Sequence, residues 1–347
     1  MAANTKGIHN NADEKGNFNR QVSSFRNAIQ PGGQFPPEKG RYHLYVALGC
    51  PWAHRSLIVR QLKGLEDFIG AFFGFRLCKL AELAFTDVSV VHPHLHEGGW
   101  HFTTPEAAAN PVPVSQHSDD SFPGATQDHL FGFSHLSKIY YKANPNYNAR
   151  FTVPVVWDKV EGTIVNNESS EVIRFLNSAF NELLPEGKNK DLDLYPEELR
   201  KEIDELNEWV YHDINNGVYK TGFATTQEAY EKAVIPLSKA LERVNERLSD
   251  GKEFLVGGRL TEADIRLYTT VVRYDPVYHS HFKCNIGSIR HDYPHVNRWL
   301  KNLYWNYPAF KNTTNFDHIK ELYWYSQVNL NPTRIVPLGP KHNVEPL

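Results

Sequence analysis

The sequence is poor in the features that most quickly fix a protein's class. It has only three cysteines in 347 residues, Cys50, Cys78 and Cys284. They are too few and too scattered for a disulfide framework, and no CxxC pair offers a zinc site. A reducing compartment, the cytoplasm, is the expected home. Neither sign of charge dominates, since 37 Lys and Arg stand against 40 Asp and Glu for a net charge of −3. That balance argues against a nucleic acid or an anionic membrane as the partner. The opening twenty residues are polar, so no signal peptide or membrane span is expected there. Repeats and low-complexity tracts are missing too. What is there is 41% apolar residues, which excludes disorder of the whole chain. At roughly 100–200 residues per domain, two domains are expected. Aromatics at 13% and 17 histidines are high and suit a site for flat ligands, although core packing uses the same residues.

Residues 1–40 are polar and rich in Gly, Asn and Pro, and read as an arm laid over the surface. Tyr42 to Leu48 alternates as a strand and runs through Gly49-Cys50-Pro51 into a helix marked by Leu57, Ile58 and Leu62. Strand, turn, helix opens an α/β unit. Val88 to Val91 is a second strand; Phe151 to Trp157 and Thr163 to Val165 form a hairpin, and a helix starts near Ser169. The Pro/Gly/charge-rich stretch after Leu184 marks the domain boundary, giving an α/β domain over 41–184 and a helical one over 185–330. Helical spacing governs that second domain, as in Leu199, Ile203, Leu206 and Val210. Thr261-Glu262-Ala263-Asp264 supplies an explicit helix start, with Leu260 able to staple onto Ile265. Residues 331–347 form an irregular tail.

Cys50 carries the sharpest chemical signal. It sits where a strand becomes a helix, with Pro51 in the first helical position. The unpaired N–H groups and the helix dipole there favour thiolate, lowering the thiol below its ordinary value of about 8.5. Ala53 stands where a dithiol oxidoreductase would carry a resolving cysteine, so the site is monothiol and needs an external thiol. The competing reading is a buried structural cysteine. A second signal is Val153-Pro154, followed by Asn166-Asn167-Glu168-Ser169-Ser170 at a helix start. With a cis bond at Pro154, the Val153 backbone turns to a ligand. A carboxylate beside exposed helix N–H groups suits an amino-acid-like ligand, whose ammonium and carboxyl they would take. Plain capping by Asn167 or Ser169 explains the same residues.

At Cys50-Pro51-Trp52-Ala53-His54-Arg55, Val153-Pro154 and Asn167-Glu168-Ser169-Ser170 the sequence resembles a cysteine-type glutathione transferase. Further motifs narrow the match: Arg41 to Val46, Gly99-Trp100, Asp120 to Thr126, Asn216-Gly217-Val218-Tyr219-Lys220, Asp275-Pro276-Val277-Tyr278 and Asn315 to Ile319, with Phe18-Asn19-Arg20 in the arm. Over nearly the whole chain they resemble the Xi class, the glutathionyl-hydroquinone reductases. The resemblance implies a thioredoxin-like N-terminal domain plus an all-α C-terminal domain, glutathione as co-substrate, and a homodimer. It implies that Cys50 is the nucleophile and that Trp100, Arg150, Val153, Glu168 and Ser169 hold glutathione. Tyr219, Tyr278 and Tyr323 would line the aromatic pocket, with Tyr219 or Tyr323 as proton donor. Read alone, these tyrosines are equally core residues. The implied activity is reduction of glutathionyl-hydroquinones; an omega-like thioltransferase or dehydroascorbate reductase, and a non-catalytic carrier of aromatic ligands, are the alternatives.

Three segments stand apart. Residues 70–87, apolar and containing Cys78, interrupt a junction that is short in the family, and read as a retained intron or faulty gene model. Residues 103–119 read as a long surface loop beside Trp100. His92, His94 and His96, with His101 nearby, alternate as metal ligands on an extended segment would. No partner is fixed by spacing, and the expectation is no metal.

Overall fold

The computed structural model describes residues 13, 15–18, 20–69, 88–96, 98–110, 112, 118, 120–184 and 189–347. The segment 70–87, with Cys78, lies outside them. The chain divides into two compact units, one containing Ser23–Leu192 and the other the arm up to Val22 with Asp193–Leu347.

The first unit is built on a four-stranded sheet ordered β2-β1-β3-β4, with β1 at Tyr42–Val46, β2 at Val88–Val90, β3 at Val155–Asp158 and β4 at Thr163–Asn166. β1 pairs parallel to β2 and antiparallel to β3, so Leu44 faces Val88 on one side and Val156 on the other. Every β1 residue is buried, as a strand flanked on both sides requires. At its start, Arg41 places Nε and a terminal nitrogen 2.8 and 2.6 Å from the same oxygen of buried Asp158. The other Asp158 oxygen accepts from Val160 N and Glu161 N, which closes the β3–β4 turn. Gly162, at φ 65°, supplies the left-handed step that turn needs.

Among the described residues, four α-helices complete this unit: α1 (Pro51–Leu62), α2 (Pro105–Ala109), α3 (Leu136–Ala143) and α4 (Ser169–Ser178). α1 packs against α4, and α3 against β4. The loop expected over 103–119 thus contains a helix, capped by Thr104. Residues 189–192 stay with this unit because Lys63 Nζ donates to the carbonyls of Lys190 and Leu192 at 3.2 and 2.6 Å.

The arm is packed rather than merely laid on the surface. Phe18, Ile29 and Phe35 are buried. Around Arg26 the arm pairs antiparallel with Asn166, covering the open edge of β4.

The second unit is helical, and includes α5 (Arg200–Trp209), α6 (Gly217–Gly222), α7 (Gln227–Arg247), α8 (Glu262–Val271), α9 (Pro294–Asn306) and α10 (Phe316–Lys320), with further short helical segments between. The α8 start read from sequence is present. Asp264 accepts from Thr261 N at 3.0 Å, and also from Leu255 N and Trp299 Nε1, tying the cap to α9. Three segments widen into π-helical turns, Val210–Asn215, Tyr274–Tyr278 and Glu321–Tyr325. No helix among the described residues is long and apolar enough to cross a membrane.

Candidate active site

Cys50 is the N-cap of α1, extended at φ −80° and ψ 124°, with Pro51 behind it. Its own N–H is spent on Ala47 O, and its carbonyl accepts from His54 N. As the N-cap, Cys50 stands at the start of the helix, and no acidic residue lies in the first turn to oppose a negative charge there. Sγ lies 3.8 Å from the Val153 carbonyl oxygen, and the Val153–Pro154 peptide is cis.

The start of α4 is organised differently from the simple cap that the sequence allowed. Asn167 turns inward: its Nδ2 donates to the Tyr140 hydroxyl and to Thr152 Oγ1, while its Oδ1 accepts from Phe25 N. With Asn167 committed, Glu168 takes the N-cap. Its Oε1 accepts from Ser170 N and Oγ, and its Oε2 accepts from Ser23 Oγ at 3.0 Å. Ser169 is the first residue of α4 and is buried; its Oγ accepts from Arg55 at 3.4 Å. The Arg55 guanidinium also covers the Trp52 ring at 4.5 Å. A cation reaching from α1 to the head of α4 joins the cysteine helix to the helix that presents Glu168.

Of the other residues implied for glutathione, Trp100 is buried and its carbonyl accepts from Leu136 N at the start of α3. Arg150 lies between α3 and β3, its carbonyl accepting from the Tyr147 hydroxyl at 2.7 Å.

The histidines do come together. His92 stacks on His101 at 4.8 Å, His94 meets His92 edge-on, and His96 is tilted against His101. Both His92 nitrogens serve the backbone: Nδ1 accepts from His94 N, so Nε2 carries the proton toward Ser118 O at 3.1 Å. Among the described residues no group of three or more His, Cys, Asp or Glu is arranged to hold a metal ion.

In the second unit the three tyrosines share one hydrogen-bonded chain. The Tyr323 hydroxyl lies 2.6 Å from that of Tyr219 and 2.8 Å from that of Tyr278. Two of them stand on π-helical turns, and the third is on α6 just after another. Such turns are frequent at functional sites. Phe282 packs parallel to Tyr278 and edge-on to Tyr323. Burial pushes the Tyr278 and Tyr323 phenols well above their ordinary value, so both are protonated at neutral pH. Gly222 allows the close approach of Phe282, whose ring a Cβ there would meet at 2.3 Å.

A cysteine at the head of the first helix of a thioredoxin-like unit, followed by an all-helical unit, defines a cysteine-type glutathione transferase. A family model described as the glutathione S-transferase C-terminal domain matches residues 227–302. The chain is 51% identical over 336 residues to glutathione S-transferase omega-like 2 of Schizosaccharomyces pombe, covering 96% of each. It is 46% identical to the glutathionyl-hydroquinone reductase YqjG of Escherichia coli, over 95% of this chain and 91% of that one. Its structure resembles the Xi glutathione transferase of Saccharomyces cerevisiae in complex with glutathione, with a TM-score of 0.85, 46% identity, and coverage of 95% and 99%. The chain belongs to the Xi class of glutathione transferases, the family of the glutathionyl-hydroquinone reductases.

Sequence reasoning missed Ser23, which holds Glu168, and the Arg55–Ser169 link. Arg55 lies in the Cys50–Arg55 motif, which assigns it no role, and Ser23 carries no local signal.

Proposed function

We propose that this protein reduces glutathionyl-hydroquinones to hydroquinones, with glutathione as co-substrate. The observation that carries this reading is Cys50 at the helix start with Ala53, not a second cysteine, one turn on. In the first step the Cys50 thiolate attacks the sulfur of the adduct. The S–C bond breaks, its electron pair takes a proton from Tyr219 or Tyr323, and hydroquinone leaves. Cys50 is then a mixed disulfide with glutathione. A second glutathione attacks that disulfide, glutathione disulfide departs, and the thiol's proton restores the phenol.

Val153, Glu168, Ser169, Trp100 and Arg150 are proposed to hold glutathione. Glu168 takes its ammonium, the head of α4 a carboxyl, and Val153 its backbone amide. Tyr219, Tyr278 and Tyr323 are proposed to bind the ring: flat faces to stack on, hydroxyls to meet the ring oxygens. No step draws on a metal. The names of the Escherichia coli and yeast relatives support both the reaction and the ligand. A homodimer and a reducing cytoplasmic setting complete the proposal.

An omega-like thioltransferase would use the same Cys50, and the Schizosaccharomyces pombe relative is named a glutathione S-transferase omega-like protein. Relative rates on a glutathionyl-hydroquinone, a small disulfide and dehydroascorbate separate the readings. Preference for the first supports ours. Ligand binding that survives Cys50→Ser, with no turnover by the unaltered protein, marks a carrier.

A further inference from the structure

The arm motif Phe18-Asn19-Arg20 has no part in the reaction as written above, yet it supplies the second unit with a cation. Phe18 is buried and stacks on Tyr219 at 6.1 Å and on Phe223 at 5.6 Å. The Arg20 guanidinium lies 5.0 Å from the centre of the Tyr219 ring and 5.6 Å from that of Phe18. Its Nε donates to Asn216 Oδ1 at 2.7 Å, and Asn216 stands one helical turn before Tyr219. The path of the arm is fixed just upstream. Gly16, at φ 82°, accepts from Thr225 N, and a Cβ there would meet Thr225 Oγ1 at 2.7 Å.

We propose that Arg20 is a positioning residue of the aromatic site: its guanidinium, held on the face of Tyr219, makes that phenol a stronger proton donor. The proposal rests on Tyr219 being the acid of the reaction above. A cation over an aromatic face is attracted to the ring, and the attraction grows when the phenol loses its proton. The tyrosine chain is also faced by Arg273, whose charge favours ionisation of both Tyr278 and Tyr323. Of the other ionisable groups on these elements, Lys220 donates to His212 O, Asp275 pairs with Arg290, and burial keeps His281 neutral against Gln327. Glu321, also buried, stands on the turn that carries Tyr323. As the S–C bond breaks, the Tyr219 O–H bond breaks with it, and its proton joins the electron pair on the ring carbon. The phenolate left beneath Arg20 recovers a proton from the thiol of the second glutathione.

The test is kcat/KM against pH for the full-length protein and its Arg20→Gln, Arg20→Lys and Tyr219→Phe variants, with a glutathionyl-hydroquinone and glutathione. Turnover should fall at high pH as the acid loses its proton. Arg20→Gln should move that fall up by about one pH unit and lower the plateau several-fold, the low end for a charge at this distance. Arg20→Lys, which keeps the charge, should recover most of the shift, and Tyr219→Phe should abolish the fall. Asn216→Ala, which frees the guanidinium from its anchor, should shift it the same way by less, and serves if Arg20→Gln does not fold. An unmoved fall in Arg20→Gln, or Lys behaving as Gln, overturns the proposal while Tyr219 remains the acid. A fall that persists in Tyr219→Phe overturns both. Should the protein show no turnover, tyrosinate absorbance still decides: ionisation removed by Tyr219→Phe should begin about one pH unit lower with Arg20 than with Gln there. Equal onset overturns the proposal.

Discussion

The phenolic oxygens of Tyr219 and Tyr323 are 2.6 Å apart, although the residues are 104 positions apart in the chain. Tyr323 is the shared member, since it also meets Tyr278. Each phenol has one proton to give, so the chain can direct only one proton outward. Tyr278 is wholly buried, whereas Tyr219 retains 7% exposure, which makes Tyr219 the better outward end.

Tyr219→Phe should therefore lower kcat more than it raises KM for the hydroquinone adduct. A loss of about 100-fold is expected, the low end for removing a proton-transfer group. Steady-state kinetics check it. Unchanged kcat at every pH would remove the tyrosine chain from the proton path.

Ser23→Ala removes the hydroxyl that donates to Glu168 Oε2. Glu168 keeps its bonds to Ser170 but loses its tie to the arm. Losing one such bond to a charged group, at about 1.5 kcal/mol, should raise KM for glutathione roughly tenfold and leave turnover at saturation nearly unaltered. Equal KM values for the two proteins would deny Ser23 this role.

Asp264 sets a pH dependence of stability. Burial pushes its carboxyl up to about 6, against hydrogen bonds from Leu255 N, Trp299 Nε1 and Thr261. In the unfolded chain it titrates near 3.8. The fold thus holds this proton to higher pH than the unfolded chain does. Its stabilising contribution is complete below about pH 4 and fades as pH rises through 6, by up to about 3 kcal/mol. Urea midpoints between pH 4 and 6 should decline less steeply in Asp264→Asn than in the parent. Parallel curves would contradict the assignment.

Much of the site could be read from local sequence, because local chemistry dictates it. Pro51 fixes the start of α1, which makes Cys50 its cap. Thr261 and Asp264 announce α8 for the same reason. What could not be read depends on distant partners. Asn167 and Glu168 are both plausible caps. Tyr140 and Thr152 decide between them by claiming the Asn167 amide, and Phe25 claims its oxygen from the arm. β3 begins at Val155 rather than Phe151 because Thr152 is bonded to the Tyr140 hydroxyl and Val153 faces Cys50. The π-helical turns that present Tyr278 and Tyr323 leave no mark on apolar spacing. The histidines alternate as ligands would, but the structure spends the His92 nitrogens on the backbone.

The most direct test of the account is to incubate the protein with a glutathionyl-hydroquinone and glutathione, following free hydroquinone and the mass of the protein. The account predicts one hydroquinone and one glutathione disulfide per turnover. With the adduct alone, it predicts a single glutathione disulfide-bonded to Cys50, absent from Cys50→Ser. Hydroquinone release that continues in Cys50→Ser, or release with no glutathione captured on Cys50, would contradict it.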